Sequence, residues 1–345
     1  MKKVHPKIKS FIDVFYGGDV KRFVKEYKQI VGSEINLSNP SAGIILFIRK
    51  KWGLSSDLLL GLEDIEKSIK HKKFKNLKKK SNIYAYASII KQFLSILINE
   101  KLLNANEIDF RTRIQDPKED ADRFIDFYGL NKNSINTFSQ IMKILEERDI
   151  YIFAFPVNTD KQEGIIYPSS PSFIILNSNI KKAKAGFALA HEIGHFLYKD
   201  IEDDKQEEFL SDKFATYLVI PSSILPYIEE IFKRALSMQN KEFIFIKEIC
   251  KTFSCNIHPL TAIERLSLAG RLSREEKKEW KEQIIKIERN INKRKSKANW
   301  EKKLSEKLGV MISEKYKKAL SNLLSQRQIN KERYLEMIFE KVSYV

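Results

Sequence analysis

The sequence has 345 residues, 43% of them hydrophobic, which is enough chain for two or more domains with buried cores. No run of residues approaches the roughly 18 apolar positions of a membrane-spanning helix, and two cysteines are too few for a disulfide framework. The basic start of the chain lacks the apolar core of a signal peptide. These features argue against a membrane protein and a disulfide-rich secreted domain, so we expect a cytoplasmic protein with no membrane partner.

The formal net charge of +17 is concentrated at the two ends of the chain. Residues 1–105 hold 21 basic and 9 acidic side chains, residues 271–345 hold 21 and 11, and residues 106–270 hold 20 and 25. Basic ends of this kind favour contact with a polyanion such as DNA. A lysine-rich compositional bias explains the same distribution equally well, so DNA binding is one of two interpretations.

Residues 1–105 are predicted to form a basic helical domain. A basic helix near 44–52, a Gly-Leu-Ser turn at 53–55 and a short apolar helix near 58–69 faintly resemble the opening of a phage-repressor helix-turn-helix. No clear recognition helix follows, and an ordinary helical bundle is the competing interpretation.

A lysine-rich run at 72–80 could lie along phosphates or form a solvated loop. Its candidate nucleic-acid-binding residues are Lys72, Lys73, Lys75, Lys78, Lys79 and Lys80. An apolar helix is predicted at 83–103, and the Asn-rich, charged stretch 104–118 is predicted to be a domain boundary.

The middle of the chain alternates helical and strand patterns. Helices are predicted at 118–128 and 134–148, and apolar runs predict strands at 150–155 and 172–177, joined by a loop that contains Gly164. The second strand leads directly into the most informative helix of the sequence.

That helix carries His191-Glu192-Ile-Gly194-His195. Residues four apart lie on the same side of a helix, so His191 and His195 can bind one metal ion. Glu192 is one position further round the helix, where its carboxylate can act as a general base on a metal-bound water. Gly194 costs about 1 kcal/mol relative to alanine in a helix, which a close approach by the backbone of the neighbouring strand would explain. The pattern predicts a zinc-peptidase centre.

A second amphipathic helix begins shortly afterwards and supplies acidic side chains. Glu208 follows His195 by 13 residues and shares a helix face with Asp212. We predict that Glu208 is the third metal ligand, and that Asp212 accepts a hydrogen bond from the outer nitrogen of a ligand histidine. Glu207 and Glu202 remain alternative ligands, and an exposed charged face is the alternative for the whole set.

Together these two motifs resemble the ImmA/IrrE family of metallopeptidases. The resemblance rests on Phe-x-Leu-Ala-His-Glu-x-Gly-His at 187–195 and on Glu-x-x-x-Asp-x-Phe-Ala-x-x-Leu-x-x-Pro at 208–221, and it covers roughly residues 115–272. Gly186 stands where the family often has a basic residue, and Ser211 stands where alanine is common. Neither departure affects a predicted metal ligand.

The resemblance implies an α+β, mostly helical fold, in which a zincin-like metallopeptidase core with a small sheet is flanked by helical N- and C-terminal regions. The expected domains are 1–105, the metallopeptidase domain 106–272 and a basic helical C-terminal region 273–345. In zincin-like folds the edge strand beside the metal helix pairs with the substrate peptide. That role is assigned to strand 172–177, against the alternative of a purely structural strand, and the substrate-binding candidates are Phe173, Ile174, Ile175 and Leu176.

The leading functional hypothesis is a zinc-dependent endopeptidase, with Mn²⁺ or Co²⁺ as alternative metals. The resemblance implies a protein substrate, in particular a DNA-binding repressor whose cleavage acts as a regulatory switch during stress or in a mobile element. The alternative is a DNA-binding regulator that uses the peptidase fold as a sensor. A third hypothesis, an interaction module with a degenerate site, conflicts with the intact set of candidate ligands. The oligomeric state is not predicted.

Overall fold

The computed structural model describes most of the chain from Asp116 onward and parts of the chain before it. The continuous described ranges are 19–38, 83–106, 116–157, 162–167 and 170–329, with single residues or pairs elsewhere. The helix-turn-helix-like segment at 44–69, apart from Phe47, and the lysine run at 72–80 lie outside the described residues. The predictions made for them, including the six candidate nucleic-acid-binding lysines, therefore stay predictions.

The described residues form twelve α-helices, one short 3-10 helix (Ser222–Ile224) and three β-strands. The helices are α1 (Val20–Val31), α2 (Ile83–Asn99), α3 (Pro117–Tyr128), α4 (Phe138–Glu147), α5 (Lys182–Leu197), α6 (Asp204–Val219), α7 (Leu225–Leu236), α8 (Lys241–Thr252), α9 (Pro259–Leu268), α10 (Arg274–Lys293), α11 (Asn299–Ser305) and α12 (Glu314–Ser325). The strands are β1 (Tyr151–Phe155), β2 (Gly164–Tyr167) and β3 (Phe173–Asn177). The fold is α+β and mostly helical with a small sheet, as predicted. Among these helices, each is too short or too polar to cross a lipid bilayer.

The chain divides into two compact units, each built from separate stretches of sequence. The first unit comprises the described residues within 1–108, 149–175 and 310–345, and the second comprises those within 109–148 and 176–309. Because the chain passes between the units four times, they cut across the three consecutive domains expected from the sequence, and that division stays a prediction.

The sheet has the strand order β1-β3-β2. All of its residues are buried, which explains why β1 and β3 read as continuous apolar runs instead of alternating patterns. The sequence pattern missed β2, whose four residues were predicted to be part of a loop. β3 hydrogen-bonds to a neighbouring strand on both sides. The prediction that residues 172–177 form a free edge for substrate pairing is therefore wrong.

The core of the first unit combines aromatic and aliphatic side chains. Phe155 stacks on Tyr86 of α2 with a centroid distance of 4.5 Å, and Phe153 meets Tyr316 of α12 edge to face at 5.4 Å. An antiparallel bridge joins Ala154 of β1 to Met311. These contacts join segments far apart in sequence around the strands that precede α5.

The second unit holds the start of α5 by contacts with the C-terminal part of the chain. No side chain caps this helix; instead the Lys182 N–H donates to the carbonyl of Glu306 at 2.8 Å. Glu288 of α10 is buried, with its Oε2 2.7 Å from Lys181 Nζ and its Oε1 2.7 Å from His258 Nε2. The start of α5 is thus held by hydrogen bonds to Glu306 and Glu288. These contacts anchor the helix that carries the histidine motif.

Candidate metal centre

The two histidines of α5 and Glu208 of α6 come together. Their ligand atoms all lie within 4.8 Å of one another. Nε2 of His191 is 3.8 Å from Glu208 Oε2, and Nε2 of His195 is 4.0 Å from Glu208 Oε1. Two ligands bound at about 2.1 Å to a tetrahedral zinc ion are about 3.4 Å apart, so only small side-chain movements separate these three groups from that geometry. Two imidazole nitrogens and one carboxylate also form a donor set that suits zinc.

The outer nitrogen of His191 faces Asp212. Oδ1 of Asp212 lies 2.9 Å from Nδ1 of His191, so the two groups are close together, and the predicted hydrogen bond between them stays a prediction. Burial works to lower the pKa of His191, but the contact with Asp212 and the charges of Glu192, Asp212 and Glu208 outweigh it and raise the pKa to about 9. The carboxylates therefore create a site that attracts positive charge.

The outer nitrogen of His195 faces a different carboxyl group. Oε1 of Glu207 is 3.3 Å from Nδ1 of His195, and the hydroxyl of Ser211 is 3.5 Å from the same nitrogen. Glu207, an alternative ligand in the sequence analysis, thus approaches the ring from the side opposite Glu208. Glu202, the other alternative, is exposed and lies outside the group of three ligand residues. Glu207 and Glu208 are adjacent in sequence, so they lie only about 100° apart around the helix axis. This spacing was a signal that both could face α5.

The two helices that build the centre are in backbone contact. A Cβ on Gly194 would lie 2.8 Å from Ser211 Cα and 2.9 Å from Ser211 Cβ, so no larger residue fits here without moving α6. The neighbour that requires this glycine is therefore α6, and the expectation of a neighbouring strand is wrong. Gly186 is similarly close to another element, because its Cβ would lie 3.2 Å from the backbone nitrogen of Phe138.

Tyr198 and His258 have structural roles. The Tyr198 hydroxyl donates to Asp120 Oδ2 at 3.0 Å, and both residues are buried. His258 accepts the Leu260 N–H at the start of α9, so it is a capping residue, and it is fully buried.

The predicted substrate-binding side chains are not accessible at the surface. Phe173, Ile174, Ile175 and Leu176 are all fully buried. Since β3 also lies in the middle of the sheet, neither its backbone nor these side chains present a binding surface. Glu192 is buried on α5, next in sequence to the candidate ligand His191.

Comparison with protein families identifies the region that contains this centre. Residues 145–241 match the model of the IrrE N-terminal-like domain, Peptidase_M78. This range includes all three strands and both α5 and α6, although it is less than a third of the chain. A search of curated proteins gave no significant match. Residues 145–241 are therefore similar to the metallopeptidase domain of the ImmA/IrrE family, as the two sequence motifs indicated.

Proposed function

We propose that this protein is a zinc-dependent endopeptidase that hydrolyses a peptide bond in a protein partner. The observation that carries the proposal is the convergence of His191, His195 and Glu208 within 4.8 Å, in a region that matches a peptidase domain. Zinc is the metal that two imidazoles and one carboxylate favour, and Mn²⁺ and Co²⁺ are the alternatives.

In this proposal each residue has a distinct task. His191, His195 and Glu208 would hold the ion, which when bound supplies Lewis acidity and lowers the pKa of water. Glu192 would take the proton of the attacking water and deliver it to the leaving amine nitrogen. Its burial shields this proton transfer from bulk solvent.

The partner suggested by the resemblance is a DNA-binding repressor. Cleavage of such a protein would remove it from DNA and so act as a regulatory switch. Incubation of the purified protein with repressors encoded nearby in the same genome, followed by mass spectrometry, would identify a cleaved bond.

The metal content of purified protein tests the centre directly. We expect about one zinc ion per chain in the wild type, and loss of the metal in Glu208→Ala and in His195→Ala. Glu202→Ala, an exposed glutamate just before α6, is the matched control and should keep its zinc. A wild type that binds no metal after zinc is supplied would contradict the proposal.

A second candidate function is DNA binding by a regulator that uses the peptidase domain as a sensor. It is favoured by the exposed cations Lys293, Arg294, Lys295 and Lys303 around the end of α10 and in α11. Among the described residues, Glu301 is the only carboxylate paired with one of these cations, 2.7 Å from Arg294. DNA binding that weakens with salt and persists after metal removal would support this function. Absence of salt-dependent binding would exclude it.

A further inference from the structure

We infer that Glu207 is the positioning residue for His195, so that α6 supplies the third metal ligand and one orienting carboxyl group for each ligand histidine. The inference rests on the metal centre of the proposed function. Glu207, Glu208, Ser211 and Asp212 occupy positions that share one face of α6. All four make contacts with the two histidines of α5, so this face is the counterpart of the histidine motif.

The geometry assigns different tasks to the two nitrogens of His195. Its Nε2 faces Glu208 and its Nδ1 faces Glu207. A neutral imidazole that binds a metal through Nε2 carries its hydrogen on Nδ1. That hydrogen points towards Glu207 Oε1, which lies 3.3 Å from Nδ1. Ser211 Oγ lies 3.5 Å from the same nitrogen and is a weaker second acceptor. A carboxyl group in this position fixes both the tautomer and the ring orientation.

Burial makes this contact more important than the equivalent one at His191. The side chain of Glu207 is 6% exposed and that of His195 is 5% exposed, whereas the side chain of Asp212 is 54% exposed. Water can replace the Asp212 carboxylate when that side chain is removed. It cannot readily reach the buried Nδ1–H of His195, which would keep only the longer contact to Ser211 Oγ at 3.5 Å.

The helix pair also holds the Glu207 backbone in place. Gly194 lies directly against Ser211, one helical turn after Glu207, and Asp203 accepts the Glu207 N–H at 2.9 Å. The carboxyl group is therefore presented to His195 by a helix that has little freedom to shift. This rigidity favours a positioning role for Glu207.

The test compares zinc affinities of the full-length wild type, Glu207→Ala, Glu207→Gln and Asp212→Ala by competition with a chromogenic chelator. We expect Glu207→Ala to weaken zinc binding about 10–100-fold and Asp212→Ala to weaken it less. Glu207→Gln should lie between wild type and Glu207→Ala, because its amide oxygen still accepts the Nδ1–H but carries no charge. Glu202→Ala serves as the control and should stay within about threefold of wild type.

Two further readouts separate positioning from a general structural effect. The visible absorption of the Co²⁺-loaded protein should change in Glu207→Ala, because the orientation of His195 changes, while the thermal midpoint of the metal-free variant stays near that of wild type. If Glu207→Ala does not fold, the isosteric Glu207→Gln carries the test. Zinc affinities of both Glu207 variants within about twofold of wild type, or a larger loss in Asp212→Ala, would overturn the inference.

This experiment also distinguishes the inference from the proposed function. A wild type that binds zinc but cleaves no peptide would refute the peptidase proposal, while the affinities would still decide the role of Glu207. A wild type that binds no zinc would overturn both.

Discussion

The contact between α5 and α6 at Gly194 leads to a quantitative prediction for Gly194→Ala. Alanine is the better helix former by about 1 kcal/mol, so helix propensity alone predicts a stabilised protein. The structure predicts the reverse, because the added methyl group would lie 2.8 Å from the Cα of Ser211. Carbon atoms pack at about 3.5–4.0 Å, so α6 must move away by about 1 Å. Overpacking of this kind costs about 1–3 kcal/mol.

The expected net change is a loss of about 1–2 kcal/mol in the free energy of unfolding, because the gain in propensity offsets part of the clash. A clash against backbone atoms falls at the upper end of the overpacking range, since no side chain can rotate out of the way. Movement of α6 also carries Glu208 away from His191 and His195, so zinc affinity should fall together with stability. The mutation therefore affects both the fold and the candidate centre.

Urea unfolding of the metal-free protein measures the first effect, and chelator competition measures the second. Gly186→Ala is the graded comparison, because its methyl group would lie 3.2 Å from Phe138 N and should cost less. A Gly194→Ala protein that is as stable as wild type and binds zinc with unchanged affinity would refute the close approach of the two helices.

Three further predictions concern the general base, the metal and a buried carboxylate. Glu192→Gln should keep its zinc but lose about 10²–10⁴-fold in peptide hydrolysis, measured on the cleaved partner; turnover equal to wild type would remove Glu192 from the mechanism. Removal of the metal by a chelator should lower the thermal midpoint of wild type, because a metal ion that binds only the folded state stabilises it. The thermal midpoint of Glu208→Ala should not change on chelation. Equal shifts in both proteins would contradict the assignment of Glu208 as a metal ligand. Burial works to raise the pKa of Glu288, but bonds and charges from His258 and Lys181 outweigh it and lower the pKa to about 2. Since this folded-state pKa lies below the ordinary 4.5, the ionised Glu288 stabilises the fold above about pH 4.5, and this stabilisation is lost towards pH 2. Urea unfolding at a series of pH values should therefore show a smaller loss of unfolding free energy on acidification in Glu288→Gln than in wild type. Equal losses in the two proteins would exclude Glu288 as a contributor.

The elements with strong local patterns were predictable from sequence. The predicted helices at 118–128 and 83–103 correspond to α3 and α2, because apolar residues recur at helical spacing and Asp116 and Pro117 mark the start of α3. β2 was missed because it has only four residues, begins with glycine and follows a polar stretch of sequence. Such a strand is defined by its partner in the sheet and carries little signal of its own.

The candidate centre was predictable to the extent that its residues lie on single helices. The spacing of His191 and His195 places both rings on one side of α5, and the spacing of Glu208 and Asp212 does the same on α6. The contact between Glu207 and His195 was not predictable, since Glu207, Glu208 and Asp212 are all placed on α6 where they could approach a histidine. Only the packing of α6 against α5 shows which nitrogen each carboxyl group faces.

The sequence by itself determined the helical histidine motif, the acidic helix that follows it and the mostly helical α+β character. These features depend on contacts between residues a few positions apart, which backbone geometry specifies locally. The tertiary structure alone decided that β3 lies inside the sheet, that Gly194 meets α6, and that Glu207 and Asp212 approach different histidines. Those outcomes depend on how separate elements pack, because strand order and helix separation are set by side chains distant in sequence.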